Sequence, residues 1–368
     1  MIPIFYPYQG ANKEILKELK NTLSSRWWGQ GPKVDLVEKE FSKKFGYKYP
    51  LFVNSGTSAL ELVYHLMGLK EGDEVIVPVL DCTAGQTGLL RRMVKIIFAD
   101  IEKETLNIDP TDLEKKITKK TKAIVIVYLG GVLVNEKIFK IAKKYKIPVI
   151  VDAAQHHEPI TLPGDYVTYS FQAIKTITTG DGGMLCLKNK KDYKRAKLLR
   201  WFGIDREQKA KKGWQAWQKR QMTFDIEEAG YKMQPTDIDA SFMLVMLKHL
   251  DKILEYRKKL VLEYMKNLEK NPDEVMNYIT GGSYWLFGIV CEKRDELAEY
   301  LKNNNIECNL VHLRNDLFKI FKKFKSPCPS MDFIENKYLY LPLNNKVTIK
   351  DVRFICKKIK EFYNGRRN

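Results

Sequence analysis

One lysine, Lys175, stands in the stretch YSFQAIKTITTGDGGML (169–185), between an apolar run and a cluster of threonines and glycines. A lysine on a solvated face needs no such setting. An amine becomes a nucleophile when it is desolvated or placed near other positive charge, and it then forms Schiff bases with carbonyls. Two further segments could serve that chemistry. In PVIVDAAQHH (148–157), Asp152 directly follows an apolar, β-branched run, at the strand end where open α/β sheets place ligands. It could equally cap the next loop. In NSGTSALELV (54–63), Gly56, Thr57 and Ser58 offer N–H groups and hydroxyls at a helix start, where the dipole favours phosphate. Ser58 with Glu61 also fits an ordinary capping box. His156 and His157 beside Asp152 raise the question of a metal, but adjacent histidines seldom converge on one ion, so no metal is expected and surface or supporting roles fit them better.

The elements that must position these residues are readable from periodicity. PKVDLVEKEFSKKFG reads as a helix with Pro32 in its first turn and Gly46 at its end. EVIVPV, KIIFA, KAIVIVYL and IPVIVDAA are short β-branched runs, and TAGQTGLLRRM, PTDLEKKI and NEKIFKIAKKY are helical segments between them. Such alternation predicts an α/β fold, a mostly parallel central sheet flanked by helices. From TDIDASFMLVMLKHL onward one long helix leads into SYWLFGIV, DELAEYLKNNN, KYLYLP and IKDVRFICKKIKEFY, a smaller α+β unit. Two parts are therefore expected: 1–240, an N-terminal arm and large domain, and 241–368, the linking helix and small C-terminal domain.

The 368 residues can bury a sizeable core, and no apolar run is long enough to cross a bilayer. MIPIFYPYQGANKE lacks a basic start followed by an apolar stretch, so no signal peptide is expected and a cytoplasmic location is the default. Six cysteines without CxxC or zinc-like spacing read as reduced thiols. The net charge of +18 invites a nucleic-acid reading, but the lysines of KKITKKTK, KNKKDYKRAK and KIFKKFK alternate with apolar residues as solvated helix faces do. No nucleic-acid recognition motif is present, TTGDGGM is not GxGxxG after a strand, and Walker A spacing is missing.

A phosphate-binding helix start, an acid at a strand end and an isolated lysine together point to pyridoxal 5′-phosphate. Phosphate would go to Gly56, Thr57, Ser58 and the Ser170 hydroxyl, the ring nitrogen to Asp152 and the aldehyde to Lys175. The set GQGPKV, NSGTSAL, DEVIVP, DAAQ, SFQAIKTITTGDGGML, GYKMQPTDIDAS and YLYLPL resembles the DegT-type sugar aminotransferases, a fold-type-I branch of the pyridoxal-phosphate enzymes, over nearly the whole chain and in the family's order. The resemblance implies that Lys175 is the Schiff-base lysine, that Asp152 pairs with the pyridine nitrogen, that Gln155 sits near the ring hydroxyl, and that Thr57, Ser58 and Ser170 hold phosphate.

It implies more. Lys232, in GYKMQ, replaces the asparagine of a loop that in the family reaches the neighbouring subunit's phosphate site, and the loop around Trp28, Gly29, Gln30 and Gly31 matches one lining the substrate cleft. A homodimer with shared sites is the expectation. Cys82 stands where the family usually places an aromatic ring over the cofactor, and Tyr128 where it has a histidine. His312 and Arg314, in VHLRND, are candidates to close the cleft on substrate, and Arg200, Arg206, Lys211, Lys212 and Arg220 to hold a diphosphate. The expected reaction moves an amino group from L-glutamate to a nucleotide-linked 3- or 4-keto-6-deoxy sugar. Related sugar dehydratases carry histidine at the lysine position, so Lys175 favours transamination; aminocyclitol aminotransferases share these motifs and stay open.

Overall fold

The computed structural model describes residues 1–206, 225–268 and 275–365. Seven strands, β1 (Tyr49–Val53), β2 (Glu74–Pro78), β3 (Lys95–Ala99), β4 (Thr121–Val127), β5 (Val149–Asp152), β6 (Tyr166–Ser170) and β7 (Gly183–Leu187), form one sheet in the order β1-β7-β6-β5-β4-β2-β3. Every neighbouring pair is parallel except those of β7, which runs antiparallel to β6 and β1. Successive side chains of a strand point to opposite faces, so each strand feeds two cores. Leu51, Val53, Val75, Val77 and Val125 join helices α3 (Gly56–Leu66) and α4 (Thr83–Arg91) on one face. Phe52, Ile76, Ile124, Ile126 and Val151 join α2 (Pro32–Phe45) and α6 (Lys137–Tyr145) on the other. The short α5 (Pro110–Lys115) precedes β4, α1 (Asn12–Leu23) precedes α2, and α7 (Lys190–Leu199) follows β7. Strands β6 and β7 are missing from the sequence reading because YVTYS mixes hydroxyls into its apolar run and GMLCL has no β-branched residue.

Strand β1 lies at the sheet's edge, and its outward backbone is closed by a buried ion pair. The Phe52 N–H donates to Glu38 Oε1 (3.0 Å), and Arg200 Nη1 donates to both the Phe52 carbonyl and Glu38 Oε1 (2.7 Å each). Burial holds the Glu38 carboxyl above its ordinary pKa, against the pull of Arg200. Arg200 is therefore not a diphosphate ligand facing the cleft; it seals the edge strand.

A 32-residue helix, α8 (Asp237–Leu268), links the two parts. Its first residue also caps α2: Asp237 Oδ1 accepts from the N–H groups of Gly31 (2.8 Å) and Val34 (3.1 Å), and Oδ2 from that of Lys33 (3.1 Å), so a carboxylate meets the positive end of the α2 dipole. Ala240 to Ile253 pack in the large core and Leu260 to Leu268 in a third one, so the change of core falls inside α8, later than the boundary near residue 240 that composition suggests. The small unit is an antiparallel sheet in the order β10-β9-β8, of β8 (Val275–Ile279), β9 (Phe287–Cys291) and β10 (Tyr338–Leu341), with α9 (Arg294–Asn303) and α11 (Ile349–Asn364); a short α10 (Pro329–Ile334) precedes β10. The beginning of the N-terminal arm pairs with this unit, Ile2 opposite Ile306 and the Ile4 N–H on Glu307. Among the described residues no helix is long and apolar enough to cross a membrane.

Candidate active site

Strand register brings the chemistry-bearing ends together. Val127 lies opposite Asp152, Asp152 opposite Thr168, Ser170 opposite Gly183, and Gly183 opposite Val53. All lie at one end of the sheet's strands, and the connection from β6 to β7 leaves and returns there carrying Lys175. Hydrogen bonds fix that connection: Phe171 N–H to the Gly182 carbonyl (2.8 Å), Thr179 N–H and Thr178 Oγ1 to the Phe171 carbonyl (3.0 and 2.9 Å), and Lys175 N–H to the Gln172 carbonyl (2.9 Å). The Lys175 ammonium lies 4.2 Å from the ring centroid of Trp285, whose indole N–H donates to the Ile174 carbonyl (3.1 Å). Among the described residues Lys175 makes no ion pair. Desolvation lowers its pKa, opposed by the charges of Asp152, Cys82 and Asp81, so the amine is more readily neutral and nucleophilic than a surface lysine.

Asp152 ends β5, and its Oδ1 accepts from the Ala154 N–H (2.9 Å). Burial raises its pKa, while the Ala154 bond and Lys175 pull the other way. A second carboxylate shares the site. Asp81, three residues beyond β2, is 3% exposed and accepts from the Cys82 N–H (2.6 Å) and Gln86 Nε2 (3.1 Å). Its pKa is pushed well up by burial and then by Asp152. The sequence reading misses Asp81, although it too follows a buried parallel strand. Cys82 stands at the start of α4, where burial first and Asp81 second raise the pKa of its thiol.

The helix start at the end of β1 forms a close cradle. A Cβ on Gly56 would lie 2.7 Å from Ser170 Cβ, and one on Gly183 would lie 2.4 Å from the Ser55 carbonyl, so both glycines are there for close approach. The cap differs from the expected one. Ser55, not Ser58, is the N-cap, accepting the Ser58 N–H (3.0 Å), while Ser58 Oγ donates to Asn54 Oδ1 (2.7 Å). Glu61 takes no part in a capping box; it is bound by Arg91 and Arg92. The N–H groups of Gly56 and Thr57 lie in a first turn where no intrahelical acceptor exists, Gly56 packs against Ser170, and Thr57 is exposed. This cradle, a buried Asp152 without an ion-pair partner among the described residues and a desolvated Lys175 fit pyridoxal phosphate: the cradle would take the anion, Asp152 the ring nitrogen and Lys175 the aldehyde on the opposite side of the ring.

Gln155 is 2% exposed, with Oε1 accepting the Gly130 N–H (2.7 Å) and Nε2 on His312 Nε2 (2.9 Å). His312 thus reaches the site from the small unit. Arg314 does not: it is buried and bound by both oxygens of Asp316 (2.7 and 2.8 Å), by Asp332 and by Glu335 (3.1 Å), which leaves it no free edge for a substrate. His156 and His157 are not surface residues. They are fully buried, pinned to the carbonyls of Gly131 (2.9 Å) and Ser170 (3.0 Å), with burial pushing their pKa values down to about 4 and about 3. Tyr128 packs beside the His156 ring at 5.0 Å.

The remaining expected residues lie elsewhere within the chain. The exposed Trp28 donates from its indole to the Leu23 carbonyl (3.2 Å), the Gly29 carbonyl accepts the Asp237 N–H (2.8 Å), and Gln30 is held by Arg206 (2.8 Å). Lys232 is exposed, and its carbonyl lies 3.4 Å from Asn54 Nδ2, beside the cradle. Lys211, Lys212 and Arg220 lie outside the described residues. Trp285 is a further residue the sequence reading misses; SYWLFG contains no sign that its indole would lie against Lys175.

Comparison with known proteins bears on this arrangement. The DegT/DnrJ/EryC1/StrS aminotransferase family matches residues 9–360. A spore coat polysaccharide biosynthesis protein of Bacillus subtilis is 30% identical, over 98% of this chain and 98% of its own length. GDP-perosamine synthase of Escherichia coli O157:H7 is 29% identical, over 99% of each. Among solved structures, the PMP-form of a Streptococcus pneumoniae protein assigned as a sugar aminotransferase superposes with a TM-score of 0.89 at 25% identity, covering 99% of this chain and 100% of that one.

Proposed function

Since the chain belongs to the DegT/DnrJ/EryC1/StrS aminotransferase family, we infer that it moves the amino group of L-glutamate onto a nucleotide-linked 3- or 4-keto-6-deoxy sugar. It is a pyridoxal-phosphate-dependent aminotransferase, and the observation that carries the reading is the desolvated Lys175 lying at the same end of the sheet as Asp152 and the α3 cradle. The bound cofactor supplies an electron-withdrawing ring that stabilises negative charge on a substrate carbon. The protein's residues do the rest. Gly56, Thr57 and Ser170 would hold the phosphate, Asp152 would keep a proton on the ring nitrogen, and Gln155 would meet the ring hydroxyl. Lys175 Nζ takes the proton from the amino donor's α-carbon and returns one to the acceptor. The donor product leaves before the sugar binds, so ping-pong kinetics are expected.

The GDP-linked product in the name of the Escherichia coli relative supports a nucleotide-sugar acceptor, and the Bacillus subtilis relative supports a place in polysaccharide biosynthesis. Trp28, Gly29 and Gln30 have their own-chain contacts away from Lys175, which supports a homodimer in which these residues serve the other copy's cleft, whereas the Lys232 carbonyl lies beside the cradle of its own chain. Six free thiols suit a cytoplasmic location. The test is incubation of the holoenzyme and glutamate with a panel of keto-sugar nucleotides, with products identified by mass and NMR. An amino sugar nucleotide is the expected product; amination of a keto-inositol alone would replace the substrate assignment with the aminocyclitol one.

A further inference from the structure

We propose that His312 is a positioning residue: from a strained turn of the small unit it fixes the Gln155 amide in the single orientation that leaves an N–H for the cofactor's ring hydroxyl. This rests on the cofactor reading of Gln155 given above. The orientation follows from the donors and acceptors around the amide. The Gly130 N–H can only donate, so the amide atom 2.7 Å from it is the oxygen, and the opposite end is the NH2 group. That nitrogen lies 2.9 Å from His312 Nε2. An amide nitrogen can only donate, so Nε2 must accept, which requires a neutral imidazole with its proton on Nδ1. Burial, with the charge of Lys175 behind it, holds the His312 pKa down to about 4, so the ring stays an acceptor throughout the neutral range. One amide N–H is spent on His312. The second has no partner among the described residues.

The backbone that delivers His312 is unusual in its own right. Val311 has φ +64°, a left-handed conformation that a β-branched residue rarely adopts. The His312 N–H donates to the Leu310 carbonyl two residues back (2.7 Å), which makes a tight three-residue turn of the strained kind. Such strain persists only where surroundings over-determine it, and here they do. The Val311 N–H donates to Asn309 Oδ1 (2.8 Å), Asn309 and Tyr340 exchange backbone bonds in both directions (3.2 and 2.9 Å), and the Tyr338 hydroxyl donates to the His312 carbonyl (2.7 Å). Strand β10 thus holds the turn on one side while Gln155, from the loop after β5, meets its imidazole on the other. The position of the small unit is thereby tied to the donor offered to the cofactor.

The experiment compares the holoenzymes of His312→Leu, His312→Gln, Gln155→Leu and the double Leu variant with the parent, reading the pH midpoint of the bound cofactor's absorbance and the cofactor's dissociation constant. Lys175, Asp152, Asp81 and Cys82, the titratable groups sharing the cleft, are unchanged in all of them. A donor to the ring hydroxyl favours its anionic form, so losing it raises the midpoint. His312→Leu and Gln155→Leu should each raise it by about one unit, the double variant should rise no further than Gln155→Leu alone, and His312→Gln, which restores an acceptor, should recover most of the shift. A midpoint that moves in Gln155→Leu but not in His312→Leu overturns the positioning role alone. A midpoint indifferent to Gln155→Leu overturns the Gln155 contact and the proposal with it, and a parent protein without cofactor absorbance overturns the underlying reading.

Discussion

Lys175 and Arg314 are both withdrawn from water, but their surroundings are opposites. Arg314 is met on three sides by Asp316, Asp332 and Glu335, and these hydrogen bonds, Asp316 first, raise its pKa. Lys175 has an indole face, a lowered pKa and carboxylates that act on it only through space. The same contrast divides the carboxylates. Glu228 is saturated by Arg195 and His65, whereas Asp152 and Asp81 lie buried with backbone and amide donors but no cation among the described residues bonded to them. Fully paired charge is architecture. Charge buried short of partners is costly to maintain and persists where something else is to bind, which is why the two regions should respond differently to substitution.

The largest expected effect is on the under-satisfied side. Lys175→Ala should cut turnover by about 10⁴-fold with little change in melting temperature, and borohydride treatment of the holoenzyme should no longer fix the cofactor covalently, as read by mass. Retained transamination would put the chemistry elsewhere. Arg314→Leu should behave the other way. It leaves the fully buried Asp316 without its partner, at a cost of about 3–5 kcal/mol in unfolding experiments, while the folded fraction keeps the cofactor's absorbance. A variant that melts normally but binds the sugar nucleotide weakly would restore Arg314 to the substrate cleft.

These two cases also mark what a sequence can disclose. Lys175, Asp152 and Gly56 are legible because their roles are local: a lysine inside a glycine-threonine hairpin, an acid closing a strand, a glycine opening a helix. Roles assembled across long separations are not. Asp316 stands in VHLRND itself, but the other two Arg314 carboxylates lie 18 and 21 residues away, and nothing in the motif shows that the three together would occupy the guanidinium in place of a substrate. Trp285 meets Lys175 only because the small unit folds back over the large one. Ser55 and Ser58 are three residues apart and either can cap a helix; in the fold Ser55 caps, packed closely against Gly183 of β7, a neighbour that no local pattern encodes. The α/β architecture, by contrast, is written in apolar runs whose alternate residues feed two cores.

Gly56→Ala sharpens the cradle side of the comparison. Gly56 has no need of a positive φ, so the effect of the substitution is purely steric: the new methyl would lie 2.7 Å from Ser170 Cβ and 3.2 Å from its Cα. Forcing β6 and α3 apart should cost about 1–3 kcal/mol, read chiefly as a rise of about 10- to 100-fold in the cofactor's dissociation constant. A loss of stability with unaltered cofactor affinity would reduce Gly56 to a packing residue.

The smallest effects carry opposite signs in pH, and together they test whether satisfied and unsatisfied charge have been told apart. Asp81 has a folded pKa raised above the 3.8 of a free aspartate, so between those values the folded cofactor-free protein binds a proton that the unfolded chain does not, and stability falls as pH rises through that window. Asp81→Asn should raise the melting temperature by about 2–4 °C at neutral pH. The gain should shrink as pH falls toward 3.8 and vanish below it, where the parent carboxylate is neutral in both states. Glu228 is the reverse case. The Arg195 bond, with His65, lowers its pKa to about 2, so its contribution is complete above 4.5 and is lost as pH falls toward 2. Glu228→Gln should therefore lower the melting temperature by about 1–2 °C at neutral pH, a deficit that closes in acid. Melts of both variants across one pH series decide it: two curves of the same sign would mean that the cleft carboxylate is as well paired as the one outside it.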